Sequence, residues 1–321
     1  MENKKFGLDS VVGKISENRR GKIFENVKNS FNEGYLSSEM SLNLLQFEIK
    51  KDEKLLKDIA EANELTSNYR KNFREDIFDI PEKNIHFLDS KNLGVNKTGS
   101  KSNSQAYFNT FEQSIFLQKT DSEIDDFGSL VHEMNHFKSH NKLFIGKEKY
   151  LGLFSKEIKG VYRGGLSLLE TESKQLLFSN LNESVTEKIA NKILWEKTKL
   201  SLTKAELSMI NTITRENGVR PENVFNMDIE KFRKGEVFLS QTSYFKQIKF
   251  YVKLVEKISQ RLQKTEKEVE YEFEKAYFTG NLNKLAHLVN EALGDYAFSV
   301  LAKLDYKLGD LEQLELFINS N

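Results

Sequence analysis

Apolar residues recur at helical spacing over much of the chain, and this pattern dominates both ends of the sequence. It predicts helices within 22–31, 55–59 and 244–262, with polar breaks around the only two prolines, Pro81 and Pro221. Short apolar runs in the middle predict strands, one at Ser114–Gln118 and a hairpin built from 161–169 and 175–178. We therefore predict an α+β, mostly helical protein with a small mixed sheet. Its predicted parts are an N-terminal helical region (1–80), a core (81–200) and a C-terminal helical subdomain (201–321).

The most complete helix signal lies in the core and begins near Thr120. Thr120 and Glu123 have the spacing of a capping box, and several aspartates favour the positive end of the helix dipole. Lys138 and Lys142 follow at the other end, as the dipole prefers. The apolar stripe between these ends consists of Ile124, Phe127, Leu130, Val131, Met134 and Phe137.

Two histidines lie off that stripe, in the motif His132-Glu133-Met134-Asn135-His136. Side chains four residues apart project from one helix face, at about 6 Å of rise, so both imidazoles can bind one zinc ion. The glutamate between them can lie beside the zinc-activated water and act as a general base. The motif therefore predicts a zinc centre with hydrolytic chemistry, and Zn²⁺ is the cofactor that we expect.

A zinc site needs a third protein ligand, and the sequence offers few candidates. His140 is one more helical turn along, about 12 Å from His132, and we expect it to be a solvated helix-end histidine. The chain has no cysteine. The third ligand must then be a carboxylate, or the site is not a zinc site.

Two carboxylates one helical turn apart, Glu183 and Glu187, follow in a segment whose apolar residues recur every four positions. Asn180 is positioned to cap this second helix. One carboxylate can bind the metal while the other accepts the free ring N–H of a ligand histidine and fixes its tautomer.

With the sequence Asn182-Glu183-Ser184-Val185-Thr186-Glu187, the chain resembles the gluzincin metallopeptidases over about 84–200. Their second motif is NExxSD, here with Thr for Ser and Glu for Asp. The resemblance implies a zincin-like core with two zinc-ligand helices and peptidase activity on a peptide or protein substrate. It further implies His132, His136 and Glu183 as zinc ligands, Glu133 as general base and Glu187 as the group that orients a ligand histidine.

Other residues remain candidates for parts of this site. Asn290-Glu291 begins a second sequence of the NExxxD type, but Gly294 would weaken a ligand-bearing helix there. We expect His287, one turn earlier, to lie on the helix surface. Tyr162, and with it Arg163, is a candidate for stabilising the oxyanion or binding a substrate carboxylate. We further expect the substrate backbone to pair with the edge of the Ser114–Gln118 strand.

Composition limits the partners and the compartment. The chain has 48 basic and 48 acidic residues, so its net charge predicts neither nucleic acid nor an anionic membrane as partner. Its N-terminus lacks an apolar signal segment and no long apolar span occurs, which predicts a cytoplasmic protein. The Lys/Glu-rich helix faces are interpreted as solvated surface. Two alternatives to the peptidase remain: a zinc hydrolase of a non-peptide substrate, and a non-catalytic helical interaction protein with a fortuitous HExxH.

Overall fold

The computed structural model describes residues 6–89, 106–150, 154–171, 174–216, 233, 245–304, 316–318 and 320. The chain forms two compact units that are not contiguous in sequence. The first comprises 1–121, 129–176 and 277–280, and the second comprises 122–128, 177–276 and 281–321. The described part is mostly helical with small mixed sheets, which confirms the coarse α+β prediction.

Three helices begin the first unit: α1 (Glu17–Glu33), α2 (Glu39–Leu45) and α3 (Glu53–Arg70). Each begins after a side-chain cap, because the oxygens of Ser16, Ser38 and Asp52 accept backbone N–H groups of the first turn. α1 ends at Gly34, whose φ of +67° is the left-handed conformation that glycine adopts at a helix end. The N-terminal helices predicted from the sequence are thus confirmed, with longer bounds.

One sheet of this unit has the strand order β2-β4-β3, formed by β2 (Ile85–Leu88), β3 (Ala106–Asn109) and β4 (Ser114–Gln118). β4 confirms the predicted strand. However, β2 pairs with it in parallel on one side and β3 pairs with it antiparallel on the other. The expectation that a substrate adds to β4 is therefore wrong, because both of its edges already carry backbone hydrogen bonds.

The second sheet has the strand order β1-β5-β6-β7-β8. Its strands are β1 (Ser10–Val12), β5 (Asn141–Tyr150), β6 (Phe154–Gly164), β7 (Ser167–Glu170) and β8 (Gln175–Leu177). The predicted hairpin is confirmed in part, because β7 and β8 are hydrogen-bonded neighbours. Its first strand does not span 161–169, since the chain turns between β6 and β7 at Gly165, where φ is +58°. β1 joins this sheet in parallel with β5, and Leu143 and Ile145 of β5 pack with Val11 and with apolar residues of α1.

The second unit is built from helices. They are α5 (Ser179–Lys199), α6 (Lys204–Glu216), α7 (Phe245–Leu262), α8 (Glu266–Thr279, whose last residues belong to the first unit), α9 (Asn283–Leu293) and α10 (Ala297–Leu304). Thr203 with Glu206 and Thr265 with Glu268 form capping boxes at the starts of α6 and α8, a signal that their spacing in the sequence already predicts. The predicted helix end near Gly218 and the loop around Pro221 lie outside the described residues. Within the described ranges, no helix combines the length and apolar character that crossing a bilayer requires.

Candidate metal centre

The first candidate ligands lie on helix α4, which covers Glu123–Lys138. It begins three residues after the predicted cap Thr120, and the Ser122 hydroxyl accepts the Asp125 N–H. The predicted apolar stripe is buried from Phe127 to Phe137, where no side chain is more than 8% exposed. In the first unit, the Phe137 ring lies 4.5 Å from that of Phe108 on β3 and about 6 Å from Phe31 and Phe78. These contacts fix the rotation of the motif-bearing end of α4 about its axis.

Polar contacts fix the end of α4 directly behind the motif. The Asn141 side-chain amide donates to the carbonyl oxygens of His136 and Phe137, both at 3.1 Å. The Ser139 hydroxyl donates to the same His136 carbonyl at 2.8 Å. Carbonyl groups at a helix end have no partner within the helix, so Asn141 and Ser139 hold the last turn together. Sequence analysis missed this role of Asn141, although an asparagine three residues beyond a helix end is an ordinary capping signal.

The side chains of His132 and His136 approach each other on one face of α4. Their Nε2 atoms are 3.0 Å apart and their ring planes cross at 67°. Two nitrogens bound tetrahedrally at Zn–N distances of about 2.0–2.1 Å are separated by roughly 3.3 Å, so the observed spacing fits one shared ion. His132 and the intervening Glu133 are buried at 5% and 7% exposure.

Glu183 lies in the first half of α5 and completes a group of three candidate ligands. One ligand atom from each of His132, His136 and Glu183 lies within 4.8 Å of the others. Two imidazole nitrogens and one carboxylate oxygen are a donor set that suits zinc and leaves a fourth position for water or substrate. The residues present therefore fit the predicted ion.

The local sequence explains how α5 presents Glu183. Leu181, Val185 and Ile189 form the predicted apolar stripe and are at most 1% exposed. The predicted cap at Asn180 is wrong, because the helix already begins at Ser179, after Phe178 in a left-handed conformation with φ of +57°. Glu187 is half-buried one turn beyond Glu183.

The remaining candidates have different surroundings. The Tyr162 ring is half-buried on β6, with its centroid 6.4 Å from that of Phe144. Arg163 is buried and donates to the carbonyl oxygens of Gly165 and Gly280, so its guanidinium binds backbone of its own unit. Glu291 and His287 are both exposed on α9. Among the described residues, the group that could hold a metal ion includes neither of them.

The expectation of a solvated His140 is wrong. α4 ends before it, and the His140 side chain is only 8% exposed, with Nδ1 3.1 Å from the Asp9 carboxylate. Asp9 also binds Arg74 at 2.7 Å. Burial opposes ionisation of Asp9, but His140 and Arg74 outweigh it and lower the pKa of this carboxyl to about 2.

Lys138, read from the sequence as a helix-end cation, instead points into the first unit and is fully buried. Its ammonium donates to the Asn63 carbonyl oxygen at 2.9 Å and to the hydroxyls of Thr66 and Ser67, both at 2.8 Å. Burial lowers the pKa of Lys138 to about 7, and the nearby Arg70 charge acts in the same direction, against Asp79. Lys138 thereby ties α4 to α3 close to the motif.

Comparison with protein-family models, with curated proteins and with solved structures returns no match for this chain. The functional argument therefore rests on the chain's own residues and their geometry.

Proposed function

We propose that this chain is a zinc-dependent metallopeptidase with a zincin-like core of the gluzincin type. The observation that carries the proposal is that one ring nitrogen from each histidine of the HExxH motif and a Glu183 carboxylate oxygen all lie within 4.8 Å of one another. A fortuitous HExxH has no reason to meet a third ligand of the right kind on another helix.

His132, His136 and Glu183 would hold the ion, which supplies Lewis acidity and a lowered pKa for water when it is bound. Glu133 follows His132 directly and is buried at 7% exposure. In the proposed reaction its carboxylate accepts a proton from the attacking water and delivers it to the leaving amine nitrogen. Glu187 accepts the free ring N–H of a ligand histidine and so keeps the metal-binding nitrogen unprotonated.

The proposal assigns the substrate backbone to β3 instead of β4. β3 is the end strand of its sheet order among the described residues. Its Phe108 ring packs on Phe137 of the motif-bearing helix at 4.5 Å. An extended peptide paired with the outer edge of Ala106–Asn109 would therefore run alongside α4.

The first test is metal content together with hydrolysis. We expect about one zinc per chain and cleavage within a fluorogenic peptide library, because three protein ligands and an open position favour catalytic zinc. Glu133→Gln should retain zinc and abolish cleavage, since this side chain is a base and not a ligand. A Glu133→Gln protein that loses its zinc, or that still cleaves peptides, would contradict the assignment.

The third ligand is tested by a matched pair of variants. Glu183→Ala should lose zinc at low micromolar free metal, while Glu291→Ala on the exposed face of α9 should retain it. Both changes remove one carboxylate, so they alter net charge equally. Retention of zinc by the Glu183 variant would remove it from the ligand set. Bound zinc without cleavage of any peptide would favour a hydrolase of another substrate class.

A further inference from the structure

A row of cations follows one side of α7 in the second unit. Successive members are three or four residues apart, the spacing that places side chains on one helix face. The row extends over about 22 Å at 1.5 Å per residue. The helix contains a single acidic residue, Glu256, which lies at the flank of the row. The row consists of Lys246, Lys249, Lys253, Lys257 and Arg261.

The opposite side of α7 is committed to the core of this unit. Its apolar residues are at most 5% exposed, whereas Lys246 and Lys249 are exposed and Lys257 is half-buried. The accessible part of the helix therefore presents mostly charged and polar side chains to a partner. The buried apolar residues are Ile248, Phe250, Tyr251, Leu254, Val255 and Ile258.

The turn that follows α7 contributes to a groove whose other lining residues lie on α8 and α9. Lys264 is held in this turn, because its N–H donates to the Ser259 carbonyl oxygen at 3.1 Å and its carbonyl oxygen accepts the Ser259 hydroxyl at 2.5 Å. Lys264 and Lys267 line the groove, which has a volume of about 470 Å³. A fixed backbone thus joins the cation row to a concave site.

The groove itself combines apolar surface with three lysines and three glutamates. Tyr271, 41% exposed, and Leu288 provide the apolar part. Of the acids that line it, Glu272 is paired with Lys284 at 2.9 Å and Glu268 caps Thr265. The third acid, Glu291, lines the groove together with His287 and the two lysines of the turn. The groove therefore suits an apolar side chain, and the preference for an acidic segment comes from the cation row.

We propose that the cation row of α7 and this groove form a docking site for an extended acidic segment of a polypeptide. An extended chain presents alternate side chains to one side about every 6.6–6.8 Å, close to the rise of about 4.5–6 Å between successive cations. Single-stranded nucleic acid is bound by several aromatic rings that stack on successive bases, whereas the described residues of the row and groove expose one ring, that of Tyr271, and Phe250 and Tyr251 are fully buried. A membrane-surface helix inserts its apolar face, which here is part of the core. That the docked polypeptide is a substrate rests on the proposed peptidase function.

The experiment measures binding in the Glu133→Gln protein, so that the probe is not cleaved. The probe is a fluorescein-labelled peptide of about ten residues with alternating Glu and Ser and a terminal Phe, and its Gln-for-Glu counterpart serves as the neutral control. The triple variant Lys246→Gln, Lys249→Gln, Lys257→Gln should bind the acidic probe roughly tenfold more weakly, since exposed ion pairs contribute about 0.2–1 kcal/mol each.

The matched control removes three exposed lysines from the first unit: Lys22→Gln, Lys50→Gln, Lys57→Gln. It has the same net charge as the row variant and should bind the acidic probe like the parent protein. Tyr271→Ser should weaken binding of the acidic probe but not that of a probe without the Phe. Equal binding by the row variant and the parent, or equal weakening in both triple variants, would overturn the proposal.

Competition distinguishes the other classes of partner. An oligodeoxythymidine or phosphatidylserine vesicles should displace the probe more weakly than unlabelled acidic peptide, and stronger displacement by either would overturn the peptide assignment. Because binding is measured without catalysis, failure of docking leaves zinc content and peptide cleavage untouched. Conversely, a protein that binds the probe but holds no zinc would retain the docking site and lose the peptidase.

Discussion

The buried ammonium of Lys138 makes a sharp prediction about stability and pH. It is fully buried and has only neutral oxygen atoms as hydrogen-bond acceptors, from Asn63, Thr66 and Ser67. Burial lowers its pKa from 10.5 to about 7. Between these two values the unfolded chain carries a proton that the folded protein does not, so the free energy of unfolding rises with pH.

The expected size follows from the shift. Each pKa unit corresponds to about 1.4 kcal/mol, so the whole interval is on the order of 5 kcal/mol, and about 4 kcal/mol of it lies between pH 7 and 10. Burial of the charged lysine lowers the free energy of unfolding by this full amount below pH 7. The effect disappears above the pKa of Lys138 in the unfolded chain. Lys138→Met has no such titration, and its unfolding free energy should lack this rise.

Urea unfolding of chelator-treated protein at several pH values measures the effect without a contribution from metal binding. The difference between the wild type and Lys138→Met should shift in favour of the wild type by several kcal/mol from pH 7 to 10. Lys57→Met changes an exposed lysine of α3 and should give a profile parallel to the wild type. Parallel profiles for all three proteins would refute the reasoning.

Three further predictions concern the site and its supports. Glu187→Ala should weaken zinc affinity roughly 10–100-fold and leave the fold intact, as competition with a chromogenic chelator would show; unchanged affinity would remove its orienting role. Asp9, with its pKa lowered to about 2, stabilises the fold above about pH 4 and loses this effect as the pH falls through 2. Asp9→Asn should accordingly reduce the fall in melting temperature between about pH 4 and 2. Gly280→Ala should cost more than about 2 kcal/mol, because φ is +73° and its Cβ would lie 2.2 Å from the His140 ring. Gly21→Ala, with open space around it inside α1, should instead stabilise by about 0.5–1 kcal/mol in the same denaturation assay.

The sequence was sufficient for elements whose signals are local. α4, α7 and α8 were predicted close to their observed bounds because caps, apolar periodicity and a terminal glycine all lie within the helix or next to it. The grouping of His132 with His136 likewise needs only one helix turn. Glu183 was predicted as a ligand because no histidine or cysteine was suitable and because its motif resembles that of a known family. Periodicity alone does not indicate which carboxylate lies near the histidines.

The failures involve partners far away in the sequence. β5 was missed because its alternation is short, and its pairing with β1 joins residues about 130 positions apart, as Ser10 and Lys142 show. β4 is central in its sheet because β2 also pairs with it, and no feature of Ser114–Gln118 reveals a neighbour on both sides. Lys138 is buried because α3 supplies its acceptors, 71 to 75 positions earlier in the chain.

The short segment Tyr277–Gly280 belongs to the first unit although nearly a hundred residues of the second precede it. Its Tyr277 carbonyl oxygen accepts the His140 N–H at 3.1 Å, and its Phe278 carbonyl oxygen accepts from Arg74 at 3.2 Å. A fragment that stops at residue 200 lacks these acceptors and leaves buried donors unpaired behind the motif-bearing helix. Cutting the chain between the two units in sequence therefore removes part of the motif-bearing unit. Its full set of hydrogen bonds can form only after the ribosome has made the chain through Gly280.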